Sequence, residues 1–147
     1  MNTTIEGRPS FGYVHVDLEP GETIIAESDA MSSMSADLEM VAKLNGGFFS
    51  GLFKKLLGGE SLFVNHFSNT SNRTQRVTLV QAAPGDIREV QLEGNSICLQ
   101  PGAYICSTPG LTLGLAWAGF RSWFAREGLF KLEVSGNGTL FYGAYGG

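Results

Sequence analysis

The chain has 147 residues, of which 43% are hydrophobic and 16% are charged. This length suits one domain, and the low charge excludes a fully disordered chain. The 20 glycines follow no triplet period, which excludes collagen. No run of about 18 apolar residues occurs, so we expect no membrane-spanning helix. The first residues lack a basic stretch followed by an apolar one, so we expect no export signal. These properties predict a soluble cytoplasmic protein, with membrane association as the alternative location.

The net charge of −4 is spread unevenly along the chain. The first 40 residues carry eight acidic residues and one basic residue, Arg8. Nucleic-acid binders gain affinity by neutralising phosphates, so this acidic part argues against a general nucleic-acid partner. The other basic residues are dispersed, whereas an RNA-binding groove gathers them beside aromatic residues.

Short segments of alternating apolar residues, separated by turn residues, make up most of the chain. Three predicted turns contain Pro-Gly, at 20–21, 84–85 and 101–102, which suits a type II turn because Pro presets φ and Gly supplies a positive φ. The glycine-containing stretches 93–95 and 135–139 are likewise predicted to be tight turns between strands. This spacing predicts an all-β fold, a β-sandwich or barrel. In chain order, the apolar segments are 13–18, 23–26, 38–44, 77–80, 87–92, 97–99 and 104–105.

Residues 48–57 have the spacing of a helix. Their apolar side chains fill one half of a helical wheel, and Lys54 and Lys55 lie on the other half. A helix this short must lay its apolar face on something. It either caps the open end of the sandwich or contacts a membrane surface or a partner, where the lysines favour an anionic surface. The candidate contact residues are Phe48, Phe49, Leu52, Phe53, Lys54, Lys55, Leu56 and Leu57.

The sequence also repeats itself. Residues 18–21 match residues 99–102, and residues 59–63 resemble residues 126–130. A period near 70 predicts one β-sandwich domain built from two stacked modules, roughly 11–75 and 76–147. The chain stops where a third module would begin. It is therefore either a fragment, or a neighbouring subunit covers the open sheet edge and the protein is a homo-oligomer.

Several motifs carry a family resemblance. They are G-F-F-S-G-L-F-K-K-L-L-G-G-E-S-L-F-V-N-H-F, A-P-G-D-I, L-Q-P-G-A-Y-I and E-G-L-F-K-L-E-V-S-G-N-G-T-L-F-Y-G-A-Y-G. From about Tyr13 to Gly147, the chain resembles the altered inheritance of mitochondria protein 24 family. The resemblance implies a β-sandwich of repeated modules related to the tryptophan-RNA-binding attenuation protein. It implies no reaction, because the family has no established catalytic residues. Its bacterial members are mostly of unknown function, its yeast member is mitochondrial and linked to inner-membrane organisation, and members usually run on for another strand-rich third.

No motif for catalysis is present, neither a nucleophile elbow nor a phosphate-binding loop. His15 and His66 lie among apolar residues, where a lone histidine is usually structural. Glu60 and Glu127 occupy equivalent repeat positions and are interpreted as structural acids at two similar turns. Cys98 and Cys106 are too few for a disulfide framework and lack nearby metal ligands, so we expect two reduced thiols, no metal and no cofactor.

Three functions fit these observations. The first is a non-enzymatic β-sandwich that acts by assembly or scaffolding, as a homo-oligomer. The second is a peripheral protein that binds a membrane surface through residues 48–57. The third is a sandwich that binds a small ligand between its sheets, although no residue names that ligand. An enzyme is the least supported class.

Overall fold

The computed structural model describes residues 1–44, 63–100, 102–117 and 130–145. These ranges contain strands and no helix, so the all-β prediction is confirmed. The predicted amphipathic helix at 48–57 lies outside the described residues. In chain order the strands are β1 Asn2–Glu6, β2 Tyr13–Leu18, β3 Thr23–Glu27, β4 Met31–Met34, β5 Leu38–Leu44, β6 Phe63–Asn69, β7 Gln75–Val80, β8 Gly85–Leu99, β9 Tyr104–Ser107, β10 Leu111–Trp117 and β11 Phe130–Tyr145.

Two of the three predicted Pro-Gly turns, at 20–21 and 101–102, are confirmed, whereas Gly85 is instead the first residue of β8. Gly21 has a φ of 84° and Gly102 a φ of 88°, the left-handed region that glycine enters without steric cost. In the first turn the amide of Glu22 donates to the carbonyl of Glu19 at 3.0 Å. In the second turn the amide of Ala103 donates to the carbonyl of Gln100 at the same distance. Each turn is closed by the hydrogen bond between its first and fourth residues.

Two other predicted turns are wrong. Residues 93–95 lie inside β8 and residues 135–139 lie inside β11, and the two strands run antiparallel along most of their length. The pairing shifts register between Ser135 and Asn137, opposite the positive-φ Gly94. The glycines therefore mark a β-bulge in a long continuous pair, which is the other place where strands use glycine.

The strands form two sheets. The four-stranded sheet has the order β1-β2-β7-β4, and the seven-stranded sheet has the order β10-β11-β9-β3-β6-β5, with β8 also paired to β11. Alternation along β2 explains the packing, since Val14, Val16 and Leu18 are buried while the residues between them are half-buried. These side chains join Phe67 and Phe141 of the other sheet in one core, so the two sheets pack face to face.

A second core lies on the other face of the seven-stranded sheet. Successive residues of β3 divide between the two cores: Ile24 belongs to the first, and Ile25 packs against the second. The second core gathers buried side chains from β6, β8, β9, β10 and β11, so the sheet curls around it. Its buried members are Val64, Leu92, Leu99, Tyr104, Leu111, Leu113, Leu132, Val134 and Leu140.

The last described strand, β11, is an interior strand, paired with β8, β9 and β10. The open edges of the seven-stranded sheet lie elsewhere. Among the described residues, β5 pairs with β6 alone, and β8 and β10 each pair with β11 alone. The last described strand therefore does not form an open edge of the sheet.

Candidate functional site

The candidate contact residues chosen from the sequence all lie outside the described residues. This applies to the eight side chains of segment 48–57 and to the repeat-equivalent acids Glu60 and Glu127. Membrane or partner contact through that segment stays a prediction. No helix within the described ranges is long and apolar enough to cross a membrane.

The structure places exposed apolar side chains on β5 instead. Met40 is 44% exposed and Val41 is 41% exposed, and they point to opposite faces of the strand. Phe63, at the start of the neighbouring β6, is 38% exposed. A sheet edge also presents backbone N–H and C=O groups that a further strand can pair with. The β5 edge therefore offers hydrogen-bonding groups and apolar surface together.

Charged side chains flank this apolar surface. Glu39, Val41 and Lys43 share one face of β5, and Val41 lies directly opposite His66 of β6. Burial, and then the positive charge of Lys43, lower the pKa of His66, so its ring is neutral at pH 7. Neither Glu39 nor Lys43 takes part in an ion pair within the part of the chain that the structure describes.

A second candidate is a cleft on either side of the segment 81–84, which connects β7 to β8. One half, of about 270 Å³, is lined by Phe11, Tyr13 and Pro84. The other, of about 290 Å³, is lined by the 100–103 turn and Gly143. Phe11 is 71% exposed, which is unusual for a phenylalanine. Three of the motifs that carry the family resemblance, A-P-G-D-I, L-Q-P-G-A-Y-I and Y-G-A-Y-G, therefore meet at this cleft.

An absent side chain shapes the second half of the cleft. A Cβ at Gly143 would overlap Oε1 of Gln81, and the Gly143 amide donates to the carbonyl of Ala103 at 2.7 Å. The Nε2 of Gln81 faces the carbonyl of Asp86 at 3.4 Å. Glycine at position 143 therefore leaves the space that the Gln81 amide fills.

Beside the cleft, an ion pair fastens β8 to the loop after β1. The Nε of Arg8 donates to Oδ1 of Asp86 at 2.7 Å, and its Nη2 donates to Oδ2 at 2.9 Å. Arg88 adds a longer contact at 3.4 Å, and the amide of Ile87 donates to Oδ1. The hydrogen bond from Arg8 holds the pKa of Asp86 below its usual range. This carboxylate is 3% exposed and fully engaged, which suits a structural role.

The outward face of β2 is polar, and its side chains form hydrogen bonds with residues of neighbouring strands. Nδ1 of His15 lies 2.9 Å from Oγ1 of Thr78, and the hydroxyl of Tyr13 donates to Glu6 at 2.8 Å. The rings of Tyr13 and His15 meet edge to face, with centroids 5.2 Å apart. These contacts are cross-strand pairs that stabilise the sheet.

The remaining reactive groups are dispersed. Cys98 is exposed and Cys106 is buried, and both are free thiols. Burial raises the pKa of Cys106, which keeps it protonated and unreactive. Within the described ranges, no group of three or more His, Cys, Asp or Glu side chains is placed to hold a metal ion.

Comparison with known proteins agrees with this fold. The chain is 26% identical over 160 residues to an uncharacterized protein of Streptococcus pyogenes serotype M6. That alignment covers 99% of this chain and 61% of the relative. A crystal structure of a Streptococcus pyogenes protein superposes with a TM-score of 0.73 at 25% identity, covering 99% of this chain and 65% of the other. The chain thus spans just under two thirds of either relative. The family model described as Mitochondrial biogenesis AIM24 matches residues 3–147, so the resemblance is confirmed and the chain belongs to that family.

Proposed function

We propose that this protein acts by assembly with further copies of itself and catalyses no reaction. The observation that carries the proposal is the β5 edge, where Met40 and Val41 are each more than 40% exposed. Natural sheets protect their edges with charge, proline or a covering segment, because an open edge pairs with other chains. Apolar side chains on both faces of an edge strand favour pairing, since a second strand removes them from water.

Local geometry supports a binding role over catalysis. The polar groups that face each other are held by structural partners, as in the pairs of Arg8 with Asp86 and of Asp17 with Arg76. A catalytic base or nucleophile needs a partner positioned around a reacting atom. The exposed, apolar edge is instead suited to contact with another protein surface. We propose the cytoplasm as the location of the assembled protein.

We extend the proposal to the architecture, a β-sandwich built from two repeated modules. The repeat matches β3 with β9 through the Pro-Gly turns and β6 with β11 through the two Glu-containing segments. If β5 also matches β10, each strand and its repeat equivalent lie equally far from the centre of the sheet order β10-β11-β9-β3-β6-β5. The centre of this order is the antiparallel pair β9–β3. A duplicated module related by a pseudo-two-fold axis would produce this order.

Sedimentation velocity of the wild type and of Val41→Lys tests the proposal. The wild type is expected to self-associate, and Val41→Lys is expected to sediment as a monomer because edge lysines oppose strand pairing. Gln91→Lys, on the exposed side of β8, is the matched control and is expected to behave like the wild type. A wild type that stays monomeric at about 100 μM, where even weak contacts populate dimers, would contradict assembly.

Small-ligand binding at the 81–84 cleft is a second candidate, favoured by the exposed Phe11 and by the motifs that meet there. Clefts of roughly 300 Å³ are at the lower limit for ligand sites. The apolar dye anilinonaphthalene sulfonate is a suitable probe. Ala83→Trp fills the cleft and is expected to abolish dye binding, whereas Thr112→Trp on β10 is expected to leave it unchanged. Equal dye binding by both variants would exclude the cleft.

A further inference from the structure

The residue types of β5 are arranged symmetrically about the central residue of the strand, Val41. From Leu38 to Leu44 the strand reads Leu-Glu-Met-Val-Ala-Lys-Leu. At equal distances before and after Val41, an apolar residue corresponds to an apolar residue, and the acidic Glu39 corresponds to the basic Lys43. A strand of this kind is complementary to a second copy of itself that runs in the opposite direction.

The positions of the side chains preserve this complementarity in three dimensions. Glu39, Val41 and Lys43 lie opposite Ser68, His66 and Val64 of β6, so they occupy one face of the sheet. Met40 and Ala42 occupy the other face. All five side chains are exposed. In an antiparallel pair, residues directly opposite each other point to the same face, with their Cβ atoms about 5 Å apart.

We propose that two copies of this chain pair antiparallel through β5, about a two-fold axis that passes beside Val41. This inference rests on the proposed assembly and names its interface. Glu39 of one copy lies opposite Lys43 of the other, and the symmetry produces this charge pair twice. Val41 of one copy lies opposite Val41 of the other, and Met40 lies opposite Ala42. The two seven-stranded sheets then continue into each other across the axis, an isologous interface.

The charges select this register. A shift of two residues in one direction places Val41 opposite Glu39, and a shift in the other direction places it opposite Lys43. Either shift removes both charge pairs and sets an apolar side chain against a charged one. Opposite charges in directly facing positions stabilise a strand pair, and like charges destabilise it.

Charge reversal tests the interface. Glu39→Lys and Lys43→Glu are each expected to weaken self-association roughly tenfold or more, because two attractive pairs become two repulsive pairs. An equimolar mixture of the two variants is expected to form mixed dimers, since one edge is then entirely basic and the other entirely acidic. The double variant Glu39→Lys/Lys43→Glu is expected to dimerise like the wild type.

Glu93→Lys and Lys131→Glu are the matched controls. Both residues are exposed and lie on β8 and β11, away from β5, so neither change is expected to affect association. If the wild type self-associates and the single reversals at positions 39 and 43 associate as well as it does, the β5 interface is wrong while assembly stands. If the wild type is monomeric throughout, both proposals are wrong. Recovery of association in the mixture would show that the single variants are folded.

Discussion

Three described strands of the seven-stranded sheet have a single neighbour, β5, β8 and β10, and the side chains of β5 and β8 differ. The exposed positions of β8 are mostly polar or charged and include Arg88, Glu89, Gln91 and Glu93. The exposed positions of β5 include Met40 and Val41, with the acidic Glu39 before them and the basic Lys43 after them. A mixed, charged edge discourages pairing, whereas a self-complementary edge with apolar residues between its charges specifies one partner.

The start of β8 is also held in place within the chain. The amide of Gly12 donates to the carbonyl of Gly85 at 2.9 Å, and Arg8 is bound to the carboxylate of Asp86. A bulge then interrupts the ladder opposite Gly94. Bulges and charged residues are two of the devices by which natural sheets blunt an edge. The β8 edge is therefore protected, whereas β5 is the edge for which we propose association.

The largest expected effect comes from the core that supports β5. Phe67 of β6 is fully buried between the sheets, so Phe67→Ala is expected to lower the free energy of unfolding by about 3–5 kcal/mol. Urea denaturation measures this loss. Phe141→Ala, in β11 next to β8, is expected to cost a similar amount, because both rings belong to the same core. A loss below about 1 kcal/mol at either position would show that the core adapts without a cavity.

A smaller effect is expected at the cleft next to β8. Gly143→Ala places a Cβ where Oε1 of Gln81 lies, so the amide must move away from Asp86. Because Oε1 is the far end of a flexible side chain that can rotate away, the cost is expected at the low end of the overpacking range, about 1 kcal/mol. The double variant Gly143→Ala/Gln81→Ala is expected to recover much of that loss in the same denaturation assay. No recovery would mean that the backbone around Ala103 carries the strain.

Acid is expected to weaken the attachment of β8. The folded pKa of Asp86 lies below the 3.8 of an ordinary aspartate, because Arg8 donates two hydrogen bonds to it. The resulting stabilisation is present above pH 3.8 and is lost as the pH falls from there through the folded pKa. Unfolding free energies of the wild type and Asp86→Asn, measured from pH 7 to below pH 3, are expected to differ by a constant amount at neutral pH and to approach each other once the pH falls below 3.8. Parallel curves would contradict the assignment.

The smallest effect is expected on the exposed side of β8. Glu93→Lys is expected to change the unfolding free energy by less than about 0.5 kcal/mol, because the Glu93 side chain is exposed. Thermal unfolding of this variant beside the wild type measures the difference. A larger change would show that the β8 edge depends on its own charge pattern for stability.

Local patterns in the sequence predicted strands such as β2, β3, β5 and β7 and two Pro-Gly turns, since alternation and φ preference act over a few residues. The strands β1, β4 and β10 were not predicted. The same rules failed at Gly94 and Gly136, where glycine serves a bulge within a long pair. Which strand lies at the edge of the sheet depends on pairing between segments distant in sequence, such as that of Val41 with His66. For that reason the β5 edge could not be located from the sequence, although the symmetric spacing of Glu39 and Lys43 was visible there.

Disulfide trapping at the proposed two-fold axis is the most direct test of antiparallel pairing between two copies of β5. In a Cys98→Ser background, Val41→Cys sets two thiols opposite each other across the two-fold, within the roughly 4.4–6.8 Å that a disulfide spans between Cα atoms. The remaining thiol, Cys106, is buried. On mild oxidation the account predicts a covalent dimer for Val41→Cys and none for Gln91→Cys on β8. A wild type that self-associates while Val41→Cys stays uncrosslinked, or crosslinks no better than Gln91→Cys, would contradict pairing through β5.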